Sequence, residues 1–185
     1  MDAKIAVFAA TILSELILGG SLILTLLYPK HRVWPPPRKN SWQYWYTHIL
    51  TEASITGVLV LGVLDWNSFV LTHESRFVLA SLLVAVGSVL FVWALRTLSI
   101  NTSLGLGGGL TTRGPYKYSR NPQYVGAMLF FVGFMIAFNS LFAYITGTVG
   151  IGLFILASFT EEPWLRDKYR QYDEYCKKVP RFFEL

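Results

Sequence analysis

Two adjacent carboxylates, Glu161 and Glu162, close a long apolar run, and a basic, tyrosine-rich tail follows at once: "EEPWLRDKYRQYDEYCKKVPRFFEL". A second polar stretch, "TTRGPYKYSRNPQYVGA" at 111–127, sets Arg113, Lys117 and Arg120 among Pro115, Pro122, Tyr116, Tyr118 and Tyr124. Paired carboxylates accept hydrogen bonds from hydroxyls and from an ammonium. With Arg120 opposite, they form a clamp for a ligand that carries both. The plainer alternative is that they complement the dipole of a helix starting there, with Pro163 in its first turn and Leu165, Tyr169, Tyr172 and Cys176 along one face.

Just upstream, "SLGLGGGLTT" holds four glycines within 105–109. No strand precedes it and no βαβ unit surrounds it, so it is not a dinucleotide fingerprint. It is either a flexible loop or backbone brought close to a ligand with its N–H groups free. Earlier, "WYTHILTEAS" places His48 and Glu52 one turn apart on a helix face with Thr47, Thr51 and Ser54 beside them. A carboxylate inside a membrane span costs about 2.5–3.5 kcal/mol and normally faces a cavity or a partner. Glu52 and His48 are therefore candidates to line an acceptor pocket and take a proton; the alternative is interhelical hydrogen bonding, as for Glu15. The lone Cys176 excludes an internal disulfide and any CxxC motif, and His31, His48 and His73 lack ligand spacing, so no metal site is expected.

The elements that must position these groups are written in the hydropathy. Of 185 residues, 53% are hydrophobic and only 15% charged, with a mean hydropathy of +0.44, outside the soluble range. The apolar residues lie in blocks at roughly 5–27, 46–65, 77–98, 122–139 and 141–160, each about long enough to cross a bilayer core. The first reads as a span rather than a cleaved signal. The expected fold is an all-α polytopic membrane protein of about five transmembrane helices plus a C-terminal amphipathic interfacial helix. Residues 1–98 form an N-terminal three-helix part on the acceptor side, and 99–185 a cofactor-binding part. Asn121 is placed as an N-cap, Pro122 in the first helical turn, and Asn139-Ser140 as a tight turn. Gly133, Gly147, Gly150 and Gly152 should let the last two spans approach closely. "WPPPRKN" at 34–40 reads as a stiff, extended connector beside the headgroups, with Trp34, Trp42, Trp45 and Trp66 near block ends at the interface.

Cation placement orients the bundle. With the N-terminus outside, the cytoplasmic side receives fourteen of sixteen Lys and Arg, leaving Lys4 and Arg76 outside. The net charge of +5 is then a topology signal and a contact with anionic headgroups, not a nucleic-acid footprint.

Residues 97–182 resemble the integral-membrane methyltransferases of the isoprenylcysteine carboxyl methyltransferase and phospholipid methyltransferase group. The resemblance rests on "LTTRGPYKYSRNPQYVG", "EEPWL" and "YDEYCKKVPRF" in that order. It implies methyl transfer from S-adenosylmethionine to a lipid-like acceptor, with a cofactor pocket built by C-terminal helices. By position, it implies that Gly108, Gly109, Leu110 and Thr111 line the cofactor, with Asn101 nearby. Tyr116, Asn121, Pro122 and Tyr124 would hold its adenosine and methionine parts. Glu161 or Glu162 would accept from ribose hydroxyls or the ammonium, and Arg120 and Arg181 would neutralise its carboxylate or stabilise the pocket. Asn121 stands where many relatives have His. "LASFT" at 156–160 lacks the Arg that the isoprenylcysteine branch carries, which disfavours a prenylcysteine carboxylate. Two other readings compete: a membrane reductase using NADPH, since sterol reductases share a similar tail, and a non-catalytic lipid-binding protein. The methyltransferase reading requires the glutamates and the loop ahead of the fourth span to converge on one pocket.

Overall fold

Within a bilayer core no water takes up backbone polar groups, so apolar runs of this length satisfy them internally as helices. In the computed structural model, which describes residues 2–183, the regular structure is helical. Helix α1 (Ala3–Leu27) starts at Asp2, whose side chain accepts from Lys4 N, and α2 (Trp42–Leu64) starts at Ser41, which accepts from Tyr44 N. Then come α3 (Arg76–Leu98), the single turn α4 (Ile100–Ser103), α5 (Pro122–Phe138), α6 (Leu141–Lys168) and α7 (Tyr172–Lys178). Four of these, α1, α2, α3 and α6, are long and apolar enough to cross a membrane; α5 has 17 residues, at the short end of the spanning range. The chain is thus a multi-pass membrane protein.

The last span differs from expectation. Helix α6 does not stop at residue 160: it runs unbroken through Glu161, Glu162 and Pro163 to Lys168. Proline inside a helix removes one donor and ordinarily breaks it. Here hydrogen bonds from other elements hold both preceding glutamates, so tertiary contacts override the local signal. The acids therefore lie inside a helix, and the dipole explanation falls away. The amphipathic tail helix shrinks to α7, whose Tyr172 and Tyr175 are buried with Val179 against Leu110, Leu165 and Tyr169.

Small residues do bring helices close, but mainly α3 and α5. A Cβ added to Gly126 would stand 2.7 Å from Phe91 N, one on Gly87 2.7 Å from Gly126 O, and one on Gly133 2.9 Å from Ala80 O. Of the glycines expected between α5 and α6, Gly147 packs most tightly on the other helix, under Met135, and Gly150 only loosely, at Phe131. Gly150 faces Glu15, Ser54 and Phe131, and Gly152 has nothing within 4 Å.

The helices alternate in direction, giving the bundle two unlike ends. At one end Asp65 accepts from Lys4 Nζ at 2.9 Å and Ser140 Oγ at 2.9 Å. Asn139, at φ 49°, ends α5 in a left-handed residue and donates to Asn67 Oδ1 at 2.9 Å. The long connections 28–41 and 99–121, together with α7, gather at the other end. There the proline run is folded inward rather than extended along the headgroups. Pro35 and Pro36 are buried beneath Gly105, where a Cβ would meet Pro36 Cδ at 2.8 Å and whose φ of 74° suits glycine.

Candidate active site

A cavity of about 590 Å³ opens inside the loop-rich end and reaches down between the helices, a size typical of small-molecule sites. Gly109, Leu110, Thr111, Tyr116, Asn121, Tyr124 and Glu161 surround its upper part, while Leu18, Leu22, Phe131 and Leu153 line it deeper down. One face of α6 supplies a whole wall, since Gly150, Phe154, Ala157, Glu161 and Trp164 recur at helical spacing.

Glu161 is the carboxylate that α6 brings to this cavity. Its Oε1 accepts from Trp34 Nε1 at 2.7 Å and from the Tyr124 hydroxyl. Trp34 Nε1 also lies 3.2 Å from the Tyr124 oxygen, so three side chains form one ring of hydrogen bonds. The Glu161 Oε2 atom has no partner among the described residues. Glu162, about 100° further round the same helix, is outside the cavity wall. It is buried and takes Arg120 Nη2 at 2.9 Å, Arg181 Nε at 2.7 Å and Arg181 Nη2 at 2.7 Å. The adjacent carboxylates therefore do different work: one faces the cavity, the other ties α6 to the start of α5 and the tail.

The remaining sequence candidates divide in the same way. Arg120 borders the cavity, but its guanidinium is spent on Glu162 and on Cys176 O at 3.2 Å. Arg181 lies outside the wall, its guanidinium 3.5 Å over the Phe159 ring. Asn121 occupies the N-cap position of α5 without capping it. Its Nδ2 donates to Arg181 O at 3.1 Å instead, which leaves its Oδ1 and the first-turn N–H groups of α5 without that partner. Pro122 is buried at the first helical position behind the wall. Burial, reinforced by the Glu161 charge, pushes the Tyr116 phenol well above its ordinary value, so it stays a neutral hydroxyl donating to Gln123 Oε1 at 3.3 Å. Asn101 and Gly108 are exposed and outside the wall, and Gly108 O accepts from the Tyr169 hydroxyl. Gly109 has nothing within 4 Å of a notional Cβ, so its backbone stands open.

His48 and Glu52 both border the cavity from α2. His48 Nδ1 lies 2.8 Å from Tyr44 O. A carbonyl only accepts, so Nδ1 carries a proton, and Nε2 is the ring nitrogen left to take one up. The ring stacks on Tyr44 with centroids 4.2 Å apart. Glu52 is exposed on the wall, whereas Glu15 is buried and accepts from Ser54 Oγ at 2.7 Å, an interhelical bond. Reading the residues alone misses Trp34, whose position near a block end groups it with the interfacial tryptophans. Its only signal is the proline run behind it, which stiffens the loop without saying where the indole points.

Residues 75–172 match the family described as phospholipid methyltransferase. A curated relative, Phosphatidylethanolamine N-methyltransferase B of Dictyostelium discoideum, is 33% identical over 90 residues. That alignment covers 45% of this chain and 45% of that protein, so the chain spans less than half the length of the relative it matches. No solved structure matches. The matched segment contains the glycine loop, Tyr124 and Glu161 but not Trp34, His48 or Glu52, and it favours the methyltransferase group over the reductases.

Proposed function

The chain belongs to the phospholipid methyltransferase family, and from that premise we propose that it moves a methyl group from S-adenosylmethionine to the amine of a phospholipid headgroup. The observation that carries the proposal is the single cavity, polar around Glu161 and apolar between the helices. A water-borne donor and a lipid acceptor can meet in such a space. The choice of an amine rests on the name of the relative.

The residues present suit the donor. The unpartnered Glu161 Oε2 accepts from its ammonium or ribose hydroxyls, and the open backbone at Gly109, beside Leu110 and Thr111 in the wall, allows close approach. The uncapped first turn of α5, with Asn121, takes its carboxylate, since helix N-termini bind anions. Tyr116 and Tyr124 flank the same space. Once bound, the donor supplies an already activated sulfonium methyl, so the chain has mainly to align the partners and keep water out.

An ammonium is not a nucleophile, so the headgroup must lose a proton before it reacts. His48 Nε2 is the acceptor we assign for that proton, with Glu52 beside it. Arg120, Glu162 and Arg181 act at one remove, holding α5, α6 and the tail in register. The fourteen cations at the loop-rich end support a cytoplasmic location for it by the positive-inside rule; a cysteine introduced there should react with an impermeant maleimide only from the cytoplasmic side.

The test is to reconstitute the purified chain in phosphatidylcholine vesicles doped with phosphatidylethanolamine and to supply methyl-labelled S-adenosylmethionine. Label should enter the amine lipid. Label confined to water-soluble products would overturn the reading.

A further inference from the structure

Trp164 borders the cavity one turn beyond Glu161 on α6, and two cations lie against its ring. The Arg32 guanidinium carbon is 5.6 Å from the ring centroid and Lys168 Nζ is 4.6 Å from it. Neither forms an ion pair among the described residues. Arg32 comes from the folded connector 28–41 and is partly buried, and its Nε is buried without a hydrogen-bond partner. Burial lowers its affinity for a proton, and the charge of Asp167, beyond ion-pairing distance, offsets this only in part. Lys168 Nζ sits where a Cβ on Gly107 would be, 2.0 Å from that point, so the ammonium rests on the glycine loop. A partly buried guanidinium with no ion-pair partner, its Nε without a hydrogen bond and an ammonium against the same ring, is costly unless an anion completes it.

The scale fits one particular anion. In a phosphoethanolamine headgroup the phosphate follows the amine by two carbons. Residues three apart on a helix stand about 5–6 Å from one another, so a phosphate held at Trp164 leaves the headgroup amine inside the cavity, close to a donor held at Glu161. We propose that Arg32 and Lys168, gathered on Trp164 at the rim of the cavity, bind the phosphate of the acceptor lipid and thereby fix where its amine enters. This rests on the phospholipid-amine reading above. Arginine supplies a planar fork that matches two phosphate oxygens, and lysine a point charge.

The donor carboxylate is the other anion that such a site could hold, and kinetics separate the two. Arg32→Ala and Lys168→Ala should each raise KM for phosphatidylethanolamine in phosphatidylcholine vesicles by about tenfold, as expected for losing a charge-assisted contact, with KM for S-adenosylmethionine unchanged. A rise in the donor KM instead, or no change in either, overturns the proposal. Lys168 is exposed, so its variant keeps the test open should Arg32→Ala fold poorly. A binding measurement separates this inference from the functional reading. Dihexanoylphosphatidylethanolamine should raise the detergent-state melting temperature of the wild-type chain, and phosphate-free dihexanoylglycerol should not. Loss of that stabilisation in Arg32→Ala supports the site even if no methyl transfer is seen; equal stabilisation by both lipids overturns it.

Discussion

Trp34 Nε1 donates to Glu161 Oε1 across 2.7 Å, tying a loop between the first two spans to the last third of the long α6 helix. The bond fixes which Glu161 oxygen is occupied and leaves the other for a ligand. Trp34→Phe keeps the ring and removes only the donor. The expected result is a rise of about tenfold or more in the donor KM, in line with about 1.5–3 kcal/mol for one hydrogen bond to a charged group, with little change in kcat.

The two glutamates should part company on mutation. Glu161→Gln should weaken donor binding by tenfold or more with little loss of thermal stability. Glu162→Gln leaves Arg120 and Arg181 facing an amide, and breaking a buried ion pair costs about 3–5 kcal/mol. Because the Arg181 side chain is 25% exposed, about 2–4 kcal/mol is the better expectation. Melting curves in detergent alongside donor titrations should show opposite patterns for the two variants.

His48→Gln removes the Nε2 lone pair while keeping a polar side chain. If that atom takes the headgroup proton, kcat should fall by about 10²–10⁴, the usual range for a general base, and donor affinity should hold. A Glu52→Gln variant with unaltered methylation of phosphatidylethanolamine would take Glu52 out of the acceptor site.

The α3–α5 contact predicts a packing effect beside the cavity wall, which Gly126 and Phe91 both line. Gly126→Ala forces a methyl to 2.7 Å from Phe91 N, and backbone cannot swing aside, so a loss of about 1–3 kcal/mol is expected. Gly152→Ala, with nothing within 4 Å, should leave the melting temperature unchanged or raise it slightly.

Hydropathy made the spans legible because each one has to bury its own backbone polarity. The boundaries of α1, α3 and α5 fall within two residues of those read from the blocks. The far end of α6 was not legible. A proline after two acids is locally a helix start, and only the Arg120, Arg181, Tyr124 and Trp34 contacts from distant segments carry the helix through. The same holds for Asn121, whose side chain has the chemistry of a cap but is turned to a tertiary partner, Arg181 O. The glycine loop and Glu161 belonged together on the page of the sequence. Trp34 did not, because a side chain's aim from an irregular loop has no period to read.

The central claim is that the cavity walled by Glu161 is the donor site. Calorimetric titration of S-adenosylhomocysteine into the detergent-purified chain addresses it directly. Saturable one-to-one binding should appear in the wild type, persist in Glu52→Gln, and weaken at least tenfold in Glu161→Gln. Absence of binding to the folded wild type, or equal affinity in wild type and Glu161→Gln, would contradict the account.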